Sequence, residues 1–92
     1  MTWDSLKMAE KFLRQANALY PEEARSEGSF EEVLARQDLY YECYMNAFSK
    51  EKVVDFLNQS LNGNIKCPDE VDEERYKSAF GTEAKQVLKQ IT

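Results

Sequence analysis

The sequence predicts an all-α protein, a compact bundle of four main helices. Three observations carry that expectation. Glycines and prolines number only three and two, so little interrupts the chain. Apolar residues recur at steps of three and four, the period of one helix face. Val, Ile and Thr are sparse, and no alternating, strand-like run lasts.

The first helix is expected over about 4–20. Leu6, Ala9, Phe12, Leu13, Ala16, Leu19 and Tyr20 share one face, with Lys7, Lys11 and Arg14 opposite. Glu10 stands four residues before Arg14, the spacing of a helical ion pair. Pro21 ends this helix, because the residue before a proline resists the α conformation. One short extra turn is expected at 21–27, opened by Pro21 and closed by Gly28.

The second helix, about 30–48, has the clearest start. Ser29 and Glu32 form a capping box, in which each satisfies an orphan donor of the first turn. Phe30, Val33, Leu34, Tyr40, Tyr41, Tyr44, Met45 and Phe48 span an arc of roughly 140°, the expected core face. Leu39 and Cys43, with Ala47 beside them, form a second and narrower apolar face. Two apolar faces place this Tyr-rich helix in the middle of the fold, touched from both sides.

The third helix, about 50–61, follows Ser49 as N-cap and carries Val53, Val54, Leu57 and Leu61 as its stripe, with Phe56 to one side. "NGN" at 62–64 ends it, since Asn and Gly accept the left-handed conformation beyond a helix. The last helix is expected over about 70–91, with Asp69 as N-cap and Glu70, Asp72 and Glu73 in its first turn. Carboxylates there face the positive end of the helix dipole. Tyr76, Phe80, Ala84, Val87, Leu88 and Ile91 keep one phase through Gly81, so one helix is expected, weakened at Gly81-Thr82, with a separate helix restarting at Thr82 as the alternative.

Ninety-two residues fit one domain. A hydrophobic content of 42% and an aromatic content of 12% are too high for a disordered chain. The net charge of −5 argues against direct nucleic-acid binding, which needs Lys and Arg against phosphates. Lys7, Lys11 and Arg14 are the one small basic stripe that would serve it. No apolar run reaches the ~18 residues of a membrane-spanning helix, and "MTWDSLKMAEKF" has no signal-peptide core. A cytoplasmic protein with reduced Cys43 and Cys67 and no membrane contact is therefore expected.

No catalytic, metal or cofactor site is expected. Histidine, the commonest general base, is absent. "DEVDEE" at 69–74 lacks the alternating acids and turn glycine of a calcium loop. Cys43 reads as a small core hydrophobe, and Cys67 has only Lys66 beside it to lower its pKa. No glycine-rich loop is present to cradle a phosphate.

Two acidic blocks remain. Glu22, Glu23, Glu27 and Glu31 lie in the first, and Asp69, Glu70, Asp72, Glu73 and Glu74 in the second. Helix starts and solvated faces account for many such blocks. The functional expectation is that the two join into a surface that docks on a basic protein. Carboxylates one helical turn apart, at about 5–6 Å between Cβ atoms, approximate the phosphate spacing that a nucleic-acid-binding groove meets. Tyr40, at the edge of the apolar arc, is the tyrosine expected to escape the core as an aromatic contact.

In size and charge the chain resembles the small acidic accessory proteins of phages and mobile elements, anti-CRISPR proteins among them. The resemblance covers no motif. It implies a non-enzymatic inhibitor of a nucleic-acid-handling complex. The alternative is a helical structural or adaptor subunit that assembles through an apolar helix face. A monomer is favoured, because the second face of the Tyr-rich helix is narrow for an interface of ~800 Å² per partner.

Overall fold

The computed structural model describes residues 4–18 and 28–92. Among them are four α-helices and no strand: α1 Ser5–Ala18, α2 Phe30–Met45, α3 Lys50–Leu61 and α4 Glu73–Ile91. The architecture is thus an all-α four-helix bundle. The turn expected at 21–27 lies outside the described residues, with Leu19, Tyr20, Glu22, Glu23 and Glu27.

Local chemistry sets the helix ends. The Glu32 N–H donates to Ser29 Oγ at 3.2 Å, one half of the expected box, whereas the Glu32 carboxylate accepts from the Ser29 hydroxyl rather than from the Ser29 N–H. Ser49 caps α3 by accepting from the Lys52 N–H at 3.3 Å. Gly63, just past the C-cap Asn62, takes the left-handed conformation at φ 89°. α2 stops at Met45 rather than 48. Asn46 Nδ2 donates to the Glu42 carbonyl at 2.9 Å, a side-chain bond that competes with helix propagation.

α4 starts later than expected. Glu70 sits at φ 67°, which no α-helix admits, so neither Asp69 as cap nor Glu70 in the first turn holds. Asp72 is the N-cap instead, accepting from the Arg75 N–H at 3.1 Å, and Glu73 and Glu74 fill the first turn. The helix then runs through Gly81, and the Thr82 hydroxyl bonds back to the Ser78 carbonyl.

α2 packs on α1 and on α4, and α3 packs on α4. The Tyr-rich helix is therefore central, as expected, but its narrow face is the more deeply buried one and its wide arc divides, with Val33 buried and Leu34, Tyr40 and Tyr44 half-buried against the core. Ala35, Leu39 and Cys43, with Ala47 just past the helix end, are completely buried, and Val33 is nearly so. Four members of the wide arc are exposed: Phe30 at 67%, Tyr41 at 56%, Met45 at 58% and Phe48 at 72%. The cause is steric. Small side chains let neighbouring helix axes approach, so the narrow Ala/Cys face takes the centre of the contact, and Tyr40 reaches α4 from its rim.

The core gathers Ala9 and Phe12 of α1, Val53 and Leu57 of α3, and Tyr76, Phe80, Ala84 and Val87 of α4 around that face. Phe56 closes on Phe80 edge to face at 6.1 Å. Three leucines of the expected stripes, Leu6, Leu13 and Leu61, stay exposed, while Ser60 is buried and bonds to the Phe56 carbonyl. Lys7, Lys11 and Arg14 are solvent-facing, and Glu10 makes no ion pair with Arg14 among the described residues.

Candidate docking surface

The acidic surface is assembled where the start of α2 meets the start of α4. The Asp72 N–H donates to Glu31 Oε1 at 3.4 Å, so Glu31 of the first block touches the second block. Asp69, Glu70, Asp72, Glu73 and Glu74 are all exposed, and Glu31 is half-buried. Glu22, Glu23 and Glu27 lie outside the described residues.

The charges on this surface are unequal. Glu73 is held by Lys77 Nζ at 2.8 Å, which lowers its pKa from the usual 4.5 and raises that of the lysine. Asp72 is occupied twice, by the Arg75 N–H as cap and by the Arg75 guanidinium at 4.0 Å. Asp69, Glu70 and Glu74 make no ion pair or side-chain hydrogen bond among the described residues, so their charge is the part available to a partner.

Beside the acids runs an open groove of about 680 Å³ between α2 and α4, lined by Glu32, Arg36, Asp72, Arg75, Thr82 and Glu83 among others. Glu83 is its organising residue. Arg36 Nε stands 3.5 Å from Glu83 Oε1, and the Tyr40 hydroxyl donates to Glu83 Oε2 at 3.0 Å. Arg36 also reaches Glu32 at 3.4 Å. Burial, and then the Glu83 charge, push the Tyr40 hydroxyl above its ordinary value of 10.0. Tyr40 is thus half-buried and tied to α4, and the tyrosine that escapes is its neighbour Tyr41. Sequence reasoning missed Glu83, although the signal was there: it falls on the inward face of α4, between Phe80 and Val87.

A second polar anchor lies deeper. The Tyr76 hydroxyl, on a 2% exposed residue, donates to Asp38 Oδ2 at 2.6 Å, and burial together with that carboxylate raises its pKa. Burial also pushes the Cys43 thiol up to about 12, consistent with a core residue. At Cys67 desolvation and the Glu73 charge outweigh Lys77, and the thiol shifts upward, so the neighbouring Lys66 does not activate it. Among the described residues, no group of His, Cys, Asp and Glu is arranged to hold a metal ion, and no helix is long and apolar enough to cross a membrane.

The fold and surface define a class, an acidic four-helix protein that carries Asp69, Glu70 and Glu74 without ion pairs among the described residues. No protein-family model matches the chain, nor does any curated protein or solved structure.

Proposed function

We propose that this chain is a non-enzymatic protein-binding module whose acidic end docks on a basic protein surface. The observation that carries the reading is the Asp72–Glu31 contact, which brings Glu31 of the first acidic block against the start of the second, 41 residues on in sequence. Asp69, Glu70 and Glu74 leave three carboxylates there without cationic partners among the described residues. Such a charge cluster steers a basic partner and fixes its register. A basic groove that receives phosphates would accept the same charges, so a nucleic-acid-handling protein is the partner class that fits, and inhibition by occupying its groove is the action.

The test uses Asp69→Lys, Glu70→Lys and Glu74→Lys together. These positions are chosen because Asp72 caps α4 and Glu73 pairs with Lys77, so replacing those would confound binding with stability. Wild-type protein immobilised in lysate of its native host should retain a basic nucleic-acid-binding protein that elutes with salt, and the triple variant should not. Retention of the same proteins by both, with unchanged helical circular dichroism, would refute the reading.

A further inference from the structure

The outward stripe of α2 is the largest feature that the acidic surface does not use. On the helix it runs Phe30, Leu34, Gln37, Tyr41 and Met45, in steps of four, three, four and four, and Phe48 follows in the turn just past the helix end. No charged residue interrupts it. Phe30, Tyr41, Met45 and Phe48 are 67%, 56%, 58% and 72% exposed, and Leu34 and Gln37 are half-buried between them. Leu6, 69% exposed, extends the patch: it follows Ser5, whose hydroxyl reaches the Phe48 carbonyl at 3.5 Å.

We propose that this stripe seats a second copy of the chain. Area is the first argument. With about 200 Å² for a fully open large side chain, these exposures amount to about 600 Å² of apolar surface. That is the upper end for the largest patch of a monomer, about 300–600 Å². It is also close to what the apolar centre of an ~800 Å² interface requires, with the polar rim supplying the rest. Self-complementarity is the second. The helical part of the stripe is nearly the same read from either end about Gln37, so an antiparallel copy sets Phe30 against Met45, Leu34 against Tyr41 and Gln37 against its own counterpart. Steps of three and four are the spacing by which one helix seats along another. The narrow face that argued for a monomer is the one already filled by α1 and α4, so that argument no longer applies.

Charge gives the proposal a distinctive signature. Each copy carries −5, and Glu31, Asp38 and Glu42 line one edge of the stripe. Two copies therefore repel at long range, and salt screens the repulsion. Self-association tightens as salt rises, whereas docking of the acidic end on a basic partner weakens.

The test is sedimentation velocity of the full chain from low to high micromolar, at low and high salt. The expected result is a mass that moves from one to two chains with concentration, at lower concentration in high salt. Tyr41→Glu with Phe48→Glu should weaken this association by more than about tenfold, as expected of central aromatic anchors. Helical circular dichroism and the urea midpoint of the dilute protein should stay the same, because both side chains are exposed. The Asp69→Lys, Glu70→Lys, Glu74→Lys variant should still dimerise, which separates this inference from the docking surface. A constant monomer mass at every concentration and salt would overturn the proposal. So would a dimer indifferent to the Tyr41 and Phe48 changes. Stripe resonances that shift only when another protein is added would assign the face to that protein instead.

Discussion

Replacing Leu39 by alanine tests which face of α2 is the core. Leu39 is completely buried among Cys43, Ala35, Phe12 and the α4 side chains. The change deletes three carbons, worth about 2.4 kcal/mol at ~0.8 kcal/mol for each buried methylene. The cavity left behind adds to that, and measured Leu→Ala costs in well-packed cores run from about 2.7 to 5.0 kcal/mol. A loss of about 3–4 kcal/mol is expected, out of a total of about 5–10 for a domain of this size. At about 4–8 °C per kcal/mol, the melting temperature should fall by about 15–25 °C. Tyr41→Ala, two residues on, removes a larger side chain from an exposed position and should stay within about 0.5 kcal/mol. Urea titrations followed by circular dichroism on dilute protein, where self-association makes no contribution, measure both. A Leu39→Ala protein within about 1 kcal/mol of wild type, beside a Tyr41→Ala protein losing about 2 or more, would show the aromatic arc to be the core after all.

Further outcomes follow from the same geometry. Gly81→Ala should stabilise by about 1 kcal/mol, because Gly81 is helical and an added Cβ meets nothing within 4 Å; a raised urea midpoint reads it. Glu83→Ala should cost about 1–3 kcal/mol by stranding Arg36 and the Tyr40 hydroxyl, and Glu83→Gln should recover part of that in the same titration. Tyr76 and Tyr40 both have raised hydroxyl pKa values in the folded state, so their contribution is complete below the ordinary value of 10.0 and is lost as pH rises above it. Tyr76→Phe should therefore make the alkaline loss of stability shallower, measured as the urea midpoint against pH. In native protein Cys67, half-exposed, should react with iodoacetamide well before the buried Cys43, which mass spectrometry of the peptides distinguishes.

Much of the fold was legible in the chain because its helix ends are set locally. Ser29, Ser49 and Gly63 act within three or four residues of the groups they satisfy, so the sequence displays them. Continuity through Gly81 was legible in part: the apolar phase from Tyr76 to Val87 does not slip, but Gly81 and Thr82 by type also fit a break and a restart. The start of α4 was not, because Asp69 and Asp72 are equally good caps by type. What distinguishes them includes the contact from Asp72 to Glu31 on another helix. The core face of α2 was misread for a different reason. Summed hydrophobicity favours Phe, Tyr and Met, whereas close helix packing selects Ala, Cys and one Leu. Of the candidate surface, the sequence displayed the acids but not their division into Glu73 and Asp72, held by Lys77 and Arg75, and Asp69, Glu70 and Glu74, which are not held.

The most direct test of the docking account is the association rate between wild-type protein and the basic protein it retains, measured by surface plasmon resonance across a series of salt concentrations. The account predicts a rate that falls steeply as the screening length shrinks from about 10 Å at 0.1 M salt to about 3 Å at 1 M. It also predicts a much flatter dependence for the Asp69→Lys, Glu70→Lys, Glu74→Lys variant. A salt-independent rate for the wild type, or one that the three substitutions leave unchanged, would contradict it.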